Sequence, residues 1–319
     1  MATYIVRRLL TALVVLIIIT LIVFFVMRLL PGDPILIYVA MSAELQAIPP
    51  EMLEELRAKF GLDKPIMVQY ANWVLDIFRG DFGTSIFYRV KVGTLMLERF
   101  PITLHLGVLA LIVGAIFGIL AGLLAAVRRG KWVDRIITPL TYVGITIPVF
   151  LLGILMIYAF GLKLGWLPIS GYTSPLDDFW LSTRQLIMPV ICLAAFGVAA
   201  NARQVRSSML EVTRQDYIRT AWSKGLSERK VIIGHALKNS LIPVITLMGF
   251  SISIIFGGAV LIETDVAIPG VGRLFVSSIF AQDYLVVQAI TFTIAVIILV
   301  VNLIVDISYA WLDPRIRYG

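Results

Sequence analysis

The run LLTALVVLIIITLIVFFVM, residues 9–27, holds 19 residues, of which only Thr11 and Thr20 are polar. A helix needs about 20 consecutive apolar residues to cross roughly 30 Å of hydrocarbon, and this run has that length without a charge. It exceeds the ~7 to 15 residues of a signal peptide's apolar core and is followed by no small-residue cleavage site, so it reads as a retained span. Comparable runs lie at residues 102–127, 136–160, 186–202, 241–261 and 284–311. The sequence therefore predicts an all-α integral membrane protein with six transmembrane helices. Composition agrees: the 319 residues are 59% hydrophobic and 15% charged, with mean hydropathy +0.94. That balance excludes a soluble enzyme. The single cysteine, Cys192, lies in an apolar stretch, so no intrachain disulfide forms.

Lys and Arg sit in alternate segments. Residues 7–8, 128–135, 203–238 and 315–317 carry 16 of the 27 basic residues, and the segments between them carry most of the acids. By the positive-inside rule both termini are cytoplasmic. The net charge of +7 thus reports membrane orientation, and no nucleic-acid partner is expected. Three parts follow: residues 1–30, a tail and the first span; 31–101, an external, periplasmic loop; and 102–319, a five-helix membrane core. In the external loop Met52, Leu53, Leu56 and Phe60 fit a short amphipathic helix after Pro49 and Pro50, stopped by Gly61. A second helix is expected over 64–79, with Tyr70, Trp73 and Phe78 at the membrane surface. A docking surface for an external partner and a packed cap over the bundle fit these residues equally well.

Catalytic chemistry has no visible apparatus. His105 and His235 belong to no HExxH pattern, no GxSxG elbow occurs, and neither GxxxxGK[ST] nor a complete GxGxxG is present. The chain is expected to be no enzyme and to carry no metal or other cofactor. Uphill movement of a solute then needs an ion gradient or another subunit. Asp306, near the end of the last span, is the main candidate for an ion relay. Arg28 and Arg203 lie at span ends, where long side chains reach water.

The polar segment RQVRSSMLEVTRQDYIRTAWSKGLSERKVIIGHALKNSLIPV, residues 203–244, joins the fourth and fifth spans. Residues 216–224 suit a helix, Gly225 breaks it, and Ser227 caps a second helix. Such an element fits a groove on a cytoplasmic partner. The segment resembles the EAA loop of ABC importer permeases, with Arg219, Thr220 and Ala221 in the EAA place and Gly225 at the glycine. DYIRTAWSKGLSERKV and HALKN are similar to the dipeptide, oligopeptide and nickel branch of that family. So are YIVRRLL, LLPGDP, GLDKPIMVQY, RGDFGTS, IPVFLLG, LGWLPISGY, RSSMLEV, ETDVAIPGVGRL, QDYLVVQ and LDPRIRYG, in order along the chain. The pattern resembles the first of the two permease subunits of such importers.

The resemblance implies a type I importer fold in the bacterial inner membrane. It also implies a second homologous permease, two cytoplasmic ATPases that bind ATP and Mg, and an external solute-binding protein delivering di- or oligopeptides. ATPase-coupling residues carried by the loop, at about 203–240, would be Asp216, Arg219, Thr220, Ala221, Gly225, Glu228, Arg229 and His235. Pro148, Gly257, Gly258 and Glu263 are candidates for the pathway or its gate. Gly114, Gly118 and Gly122 recur every four residues and suit close helix packing. A stand-alone secondary transporter or channel is the alternative from another class, and nickel, glutathione or oligosaccharide are alternative cargoes.

Overall fold

The computed structural model describes residues 2–29, 35–36 and 50–312. Within them the chain is helical apart from turns and one isolated bridge between Thr84 and Lys91. The motifs LLPGDP, in most of its length, and LDPRIRYG, after Leu312, lie outside the described residues. Contacts divide the chain into two compact units, Met1–Ile102 with Arg273–Leu299, and Thr103–Gly272 with Val300–Gly319.

In the first unit α1 (Ala2–Leu29) contains the first predicted span. Leu9, Leu10 and Val14 are about half exposed, as suits a lipid-facing helix. α2 (Pro50–Lys59) begins on proline, carries Glu51 in its first turn and Arg57 and Lys59 in its last, and so matches its own dipole. Gly61, at φ +66°, ends it. α3 (Ile66–Phe78) is the second predicted loop helix. Its aromatic residues correct the expectation of a membrane-surface belt: Trp73 is 6% exposed and packs 5.9 Å from the Phe24 ring of α1. Tyr70 shares a 3.0 Å hydrogen bond with Thr20, and only Phe78 stays open, at 82%. Burying a ring against the apolar wall of α1 removes more apolar surface from water than an interfacial position would. α3 is thus packed against α1. Met27, Tyr284 and Val287, flanked by Leu62 and Phe275, complete this core.

α4 (Val92–Val127) starts ten residues before the predicted span and carries Pro101 within it. In the second unit the predicted third span, 136–160, is not one helix. α5 (Trp132–Thr146) and α6 (Val149–Met156), which continues as a wide π-helical turn over Ile157–Lys163, are bent by 107°. The cause is local: Ile147 precedes proline and is extended at ψ 124°, and Pro148 brings no N–H to continue the ladder. Among the described residues, five helices are therefore long and apolar enough to span, or six if the bent pair is one span.

α7 (Phe179–Val212) is the centre of this unit, capped by the Asp178 carboxylate accepting from the Leu181 N–H at 2.9 Å. At 1.5 Å per residue its 34 residues measure about 51 Å, well beyond the hydrocarbon thickness. α4 lies against it through the glycine face expected from sequence. A Cβ on Gly118 would meet Asn201 Cβ at 2.7 Å, and one on Gly122 would meet the Ala202 carbonyl at 2.4 Å. α8 (Asp216–Ser223) follows, then a π-helical stretch over Lys230–Leu237, α9 (Ile242–Asp265), α10 (Val271–Phe280) and α11 (Tyr284–Leu312).

Candidate coupling loop and pathway residues

The loop after α7 has a packed side and an open side. Ile218, Ala221, Val231 and Ala236 are buried with Val205, Met209 and Val244, and Leu226 packs against them. This cluster holds the helical pair on its own unit. Between its helices the chain reverses through a Schellman arrangement: the Gly225 N–H bonds Trp222 O at 2.9 Å and the Leu226 N–H reaches Ala221 O at 3.4 Å. Gly225 stands at φ +73°, where a side chain is disfavoured. The second segment departs from the expected α-helix, because its wider turn over Lys230–Leu237 sends Val231 and Ala236 into the same cluster.

The predicted coupling residues separate accordingly. Asp216, Arg219, Thr220, Gly225, Glu228, Arg229 and His235 are exposed. Asp216 and Arg219 approach each other at 3.5 Å. Ala221 is 7% exposed and faces the cluster, so a large side chain there would push α8 off its support. Tyr217 and Trp222 are exposed aromatic residues on α8, the former accepting a 3.0 Å hydrogen bond from the Asn239 amide.

Just before the loop, α7 is clamped to α5. Arg206 gives a two-pronged bond to Asp134, Nε to Oδ1 at 2.7 Å and Nη2 to Oδ2 at 2.9 Å. Asp134 also accepts from the Gly130 N–H and the Thr138 hydroxyl, so its acceptor positions are filled. Sequence reasoning counted these charges for sidedness and did not pair them. Seventy-two positions separate them, and only the fold brings them together.

The pathway candidates do not form one site. Gly257 and Gly258 line an apolar cavity of about 220 Å³ with Leu193 and Phe196. Ile147 and Val149, the neighbours of Pro148, line it too. Glu263 is instead fully buried and is absent from that lining. It accepts from the Thr103 hydroxyl at 2.5 Å, and Thr103 accepts from the Val271 N–H at 2.8 Å. A Cβ on Gly270 would lie 2.3 Å from the carboxyl group of Glu263. Glu263 thus fastens the PGVG turn to the end of α9, and the glycines make room for it.

A second buried carboxylate was missed altogether. Asp283, 0% exposed, accepts from the Ser85 hydroxyl at 2.5 Å and the Phe87 N–H at 3.1 Å. Burial pushes its carboxyl above the ordinary carboxylate range, against the opposing pull of these donors. The available signal was a lone acid ahead of an apolar run in QDYLVVQ. Among the histidines, His105 Nδ1 lies 3.3 Å from the Tyr172 hydroxyl, whose own pKa burial raises.

The chain was compared with known proteins. The family described as "Binding-protein-dependent transport system inner membrane component" matches residues 118–318, and its N-terminal companion matches residues 1–107. The "Probable peptide ABC transporter permease protein y4tP" of Sinorhizobium fredii (strain NBRC 101917 / NGR234) is 39% identical over 318 residues, covering 100% of both chains. The "Glutathione transport system permease protein GsiC" of Escherichia coli (strain K12) is 37% identical, again over 100% of both. Among solved structures, a chain of the MetNI methionine ABC transporter in an inward-facing conformation matches with TM-score 0.53 and 15% identity, covering 69% of this chain and 96% of that one. That likeness speaks for the fold. Matched along almost its whole length by both family descriptions and by full-length relatives, the chain belongs to the binding-protein-dependent transport system inner membrane components, the multi-pass permease subunits of ABC transporters.

Proposed function

We propose that this chain is one of two permease subunits of an ATP-driven importer that carries short peptides across the bacterial inner membrane. The observation that carries the substrate class is full-length identity of 39% to a relative named as a peptide permease. Six spans with both termini in the cytoplasm, the bent pair α5–α6 counting as one, accord with the distribution of Lys and Arg. On that topology the 31–101 segment faces outward, toward a solute-binding protein, and the loop at about 203–240 faces two ATPases that bind ATP and Mg.

The exposed residues Asp216, Arg219, Thr220, Gly225, Glu228, Arg229 and His235 are the proposed ATPase contacts, with Ala221 supporting them from beneath. Closing of the ATPase pair on ATP would push this element, and α7, to which it is packed, would carry the motion into the membrane. The apolar recess at Gly257 and Gly258 suits a conduit that binds a captured solute weakly. The test is reconstitution with the neighbouring permease, ATPases and binding protein in vesicles, reading ATP-dependent uptake of labelled di- and tripeptides against glutathione, nickel and an oligosaccharide. Accumulation of peptides alone supports the reading; preference for another cargo replaces the substrate class. Uptake without ATPases would return the secondary-transporter alternative.

A further inference from the structure

The first unit holds a recess of about 510 Å³ bounded by the end of α1, by α2 and α3, by the 81–89 loop and by the start of α11. Two residues of its wall, Trp73 and Gln288, each carry a buried polar atom with no hydrogen-bond partner, the indole Nε1 and the amide Nε2. Trp73 is 6% and Gln288 1% exposed. An indole N–H only donates, and a buried donor with nothing to bond is unfavourable. The charges around it lean the same way, with Arg28, Lys59 and Lys64 in the wall against Asp76 and Asp81. Arg28 spends Nε and Nη2 on a neutral acceptor, Gln69 Oε1, at 3.1 and 2.8 Å, so this partner leaves its charge uncancelled. Unpaired donors and surplus positive charge favour a small group with several anionic oxygens.

We propose that this recess binds the terminal carboxylate of a short peptide. The identification of the ligand rests on the peptide-importer reading, whereas the preference for a carboxylate rests on Trp73, Gln288 and the charges beside them. The size suits such a ligand, since small-molecule sites occupy roughly 300 to 1,000 Å³. On the topology proposed above the site faces outward, so it would hold a peptide end before the pathway opens.

The experiment uses the assembled complex in lipid nanodiscs, without binding protein or nucleotide, and titrates triglycine and triglycinamide by calorimetry. Triglycine should bind in the millimolar range and triglycinamide about tenfold more weakly, the effect of removing one charge-assisted contact. Trp73→Phe, which keeps an aromatic ring and removes the N–H, and Gln288→Leu, which removes the amide at similar size, should each weaken triglycine about as much while the complex still assembles. A small loss of thermal stability is expected for Trp73→Phe alone, because it shortens a core side chain. Equal binding of the two peptides, wild-type binding by both variants, or no triglycine binding overturns the proposal. Unaltered triglycine binding with weakened association of the solute-binding protein in the variants overturns it as well, and makes the recess a docking surface. Failure of peptide uptake with the carboxylate preference intact would instead sink the transport reading and leave the site without its named ligand.

Discussion

Gly225 ends α8 at φ +73° with nothing within 4 Å of where its Cβ would stand, so backbone conformation alone requires glycine there. Gly225→Ala should cost about 1 kcal/mol and reduce transport modestly. Gly225→Pro cannot reach this φ and loses the bond to Trp222 O, so it should uncouple ATP hydrolysis from uptake. Paired ATPase and uptake assays on vesicles check this; normal uptake in the proline variant would remove the turn from the coupling path. Arg206 and Asp134 make the complementary case, a pair whose value lies in mutual satisfaction. The Arg206 side chain is 29% exposed and that of Asp134 8%, so the cost of breaking the pair lies between the exposed and buried limits. Arg206→Ala should destabilise the protein by about 2 kcal/mol, and the double variant with Asp134→Ala by less than the sum of the single changes. Thermal unfolding of the purified complex gives the cycle, and strict additivity would show the pair to be inert. The residue types at Gly225 and in the EAA place were legible in the sequence. The partners of Glu263, Asp283 and Arg206 were not, because each comes from a distant part of the chain.

At the scale of elements, α4 and α7 approach so closely that helix propensity and packing pull in opposite directions. Glycine weakens a helix interior by about 0.5–1 kcal/mol relative to alanine, yet at Gly122 a Cβ would strike the Ala202 carbonyl at 2.4 Å and Val205 at 2.7 Å. Packing wins there: Gly122→Ala should lose about 2 kcal/mol through overpacking, seen as reduced folded yield and a lower midpoint of thermal unfolding. Gly93, in the same helix, has nothing within 4 Å, and Gly93→Ala should change stability by no more than about 0.5 kcal/mol. A gain at Gly122 like the small gain that propensity allows at Gly93 would mean that helix propensity, not the interface, sets the effect. The four-residue glycine spacing announced this face. Hydropathy did not announce the 107° break at Pro148, because a window average counts apolar residues and ignores the missing N–H. It likewise made α7 too short, since its polar last turns are held by packing against α5 and the coupling loop.

For the whole molecule, the prediction is one of sidedness. In a background lacking Cys192, cysteines replacing Lys131 and Ser227 should resist a membrane-impermeant maleimide in intact cells, and those replacing Lys64 and Asp177 should react. All four native residues are exposed, so access reports the side of the membrane and not burial. Labelling at Ser227 from outside would reverse the topology and with it the proposed ATPase contacts. By itself the sequence determined that the chain is a helical membrane protein, which alternate segments carry positive charge, and where the glycine turn of the 203–240 loop lies. Length, hydropathy and backbone freedom are properties of local sequence and need no partner. Only tertiary structure decided that Trp73 is core, that Ala221 supports its helix from beneath, that Glu263 and Asp283 are buried fasteners, and that Trp73 and Gln288 share one recess. Those roles depend on which distant atoms fill the space around a side chain, and hydrogen bonding, burial and surplus charge acquire their meaning only once that space is closed.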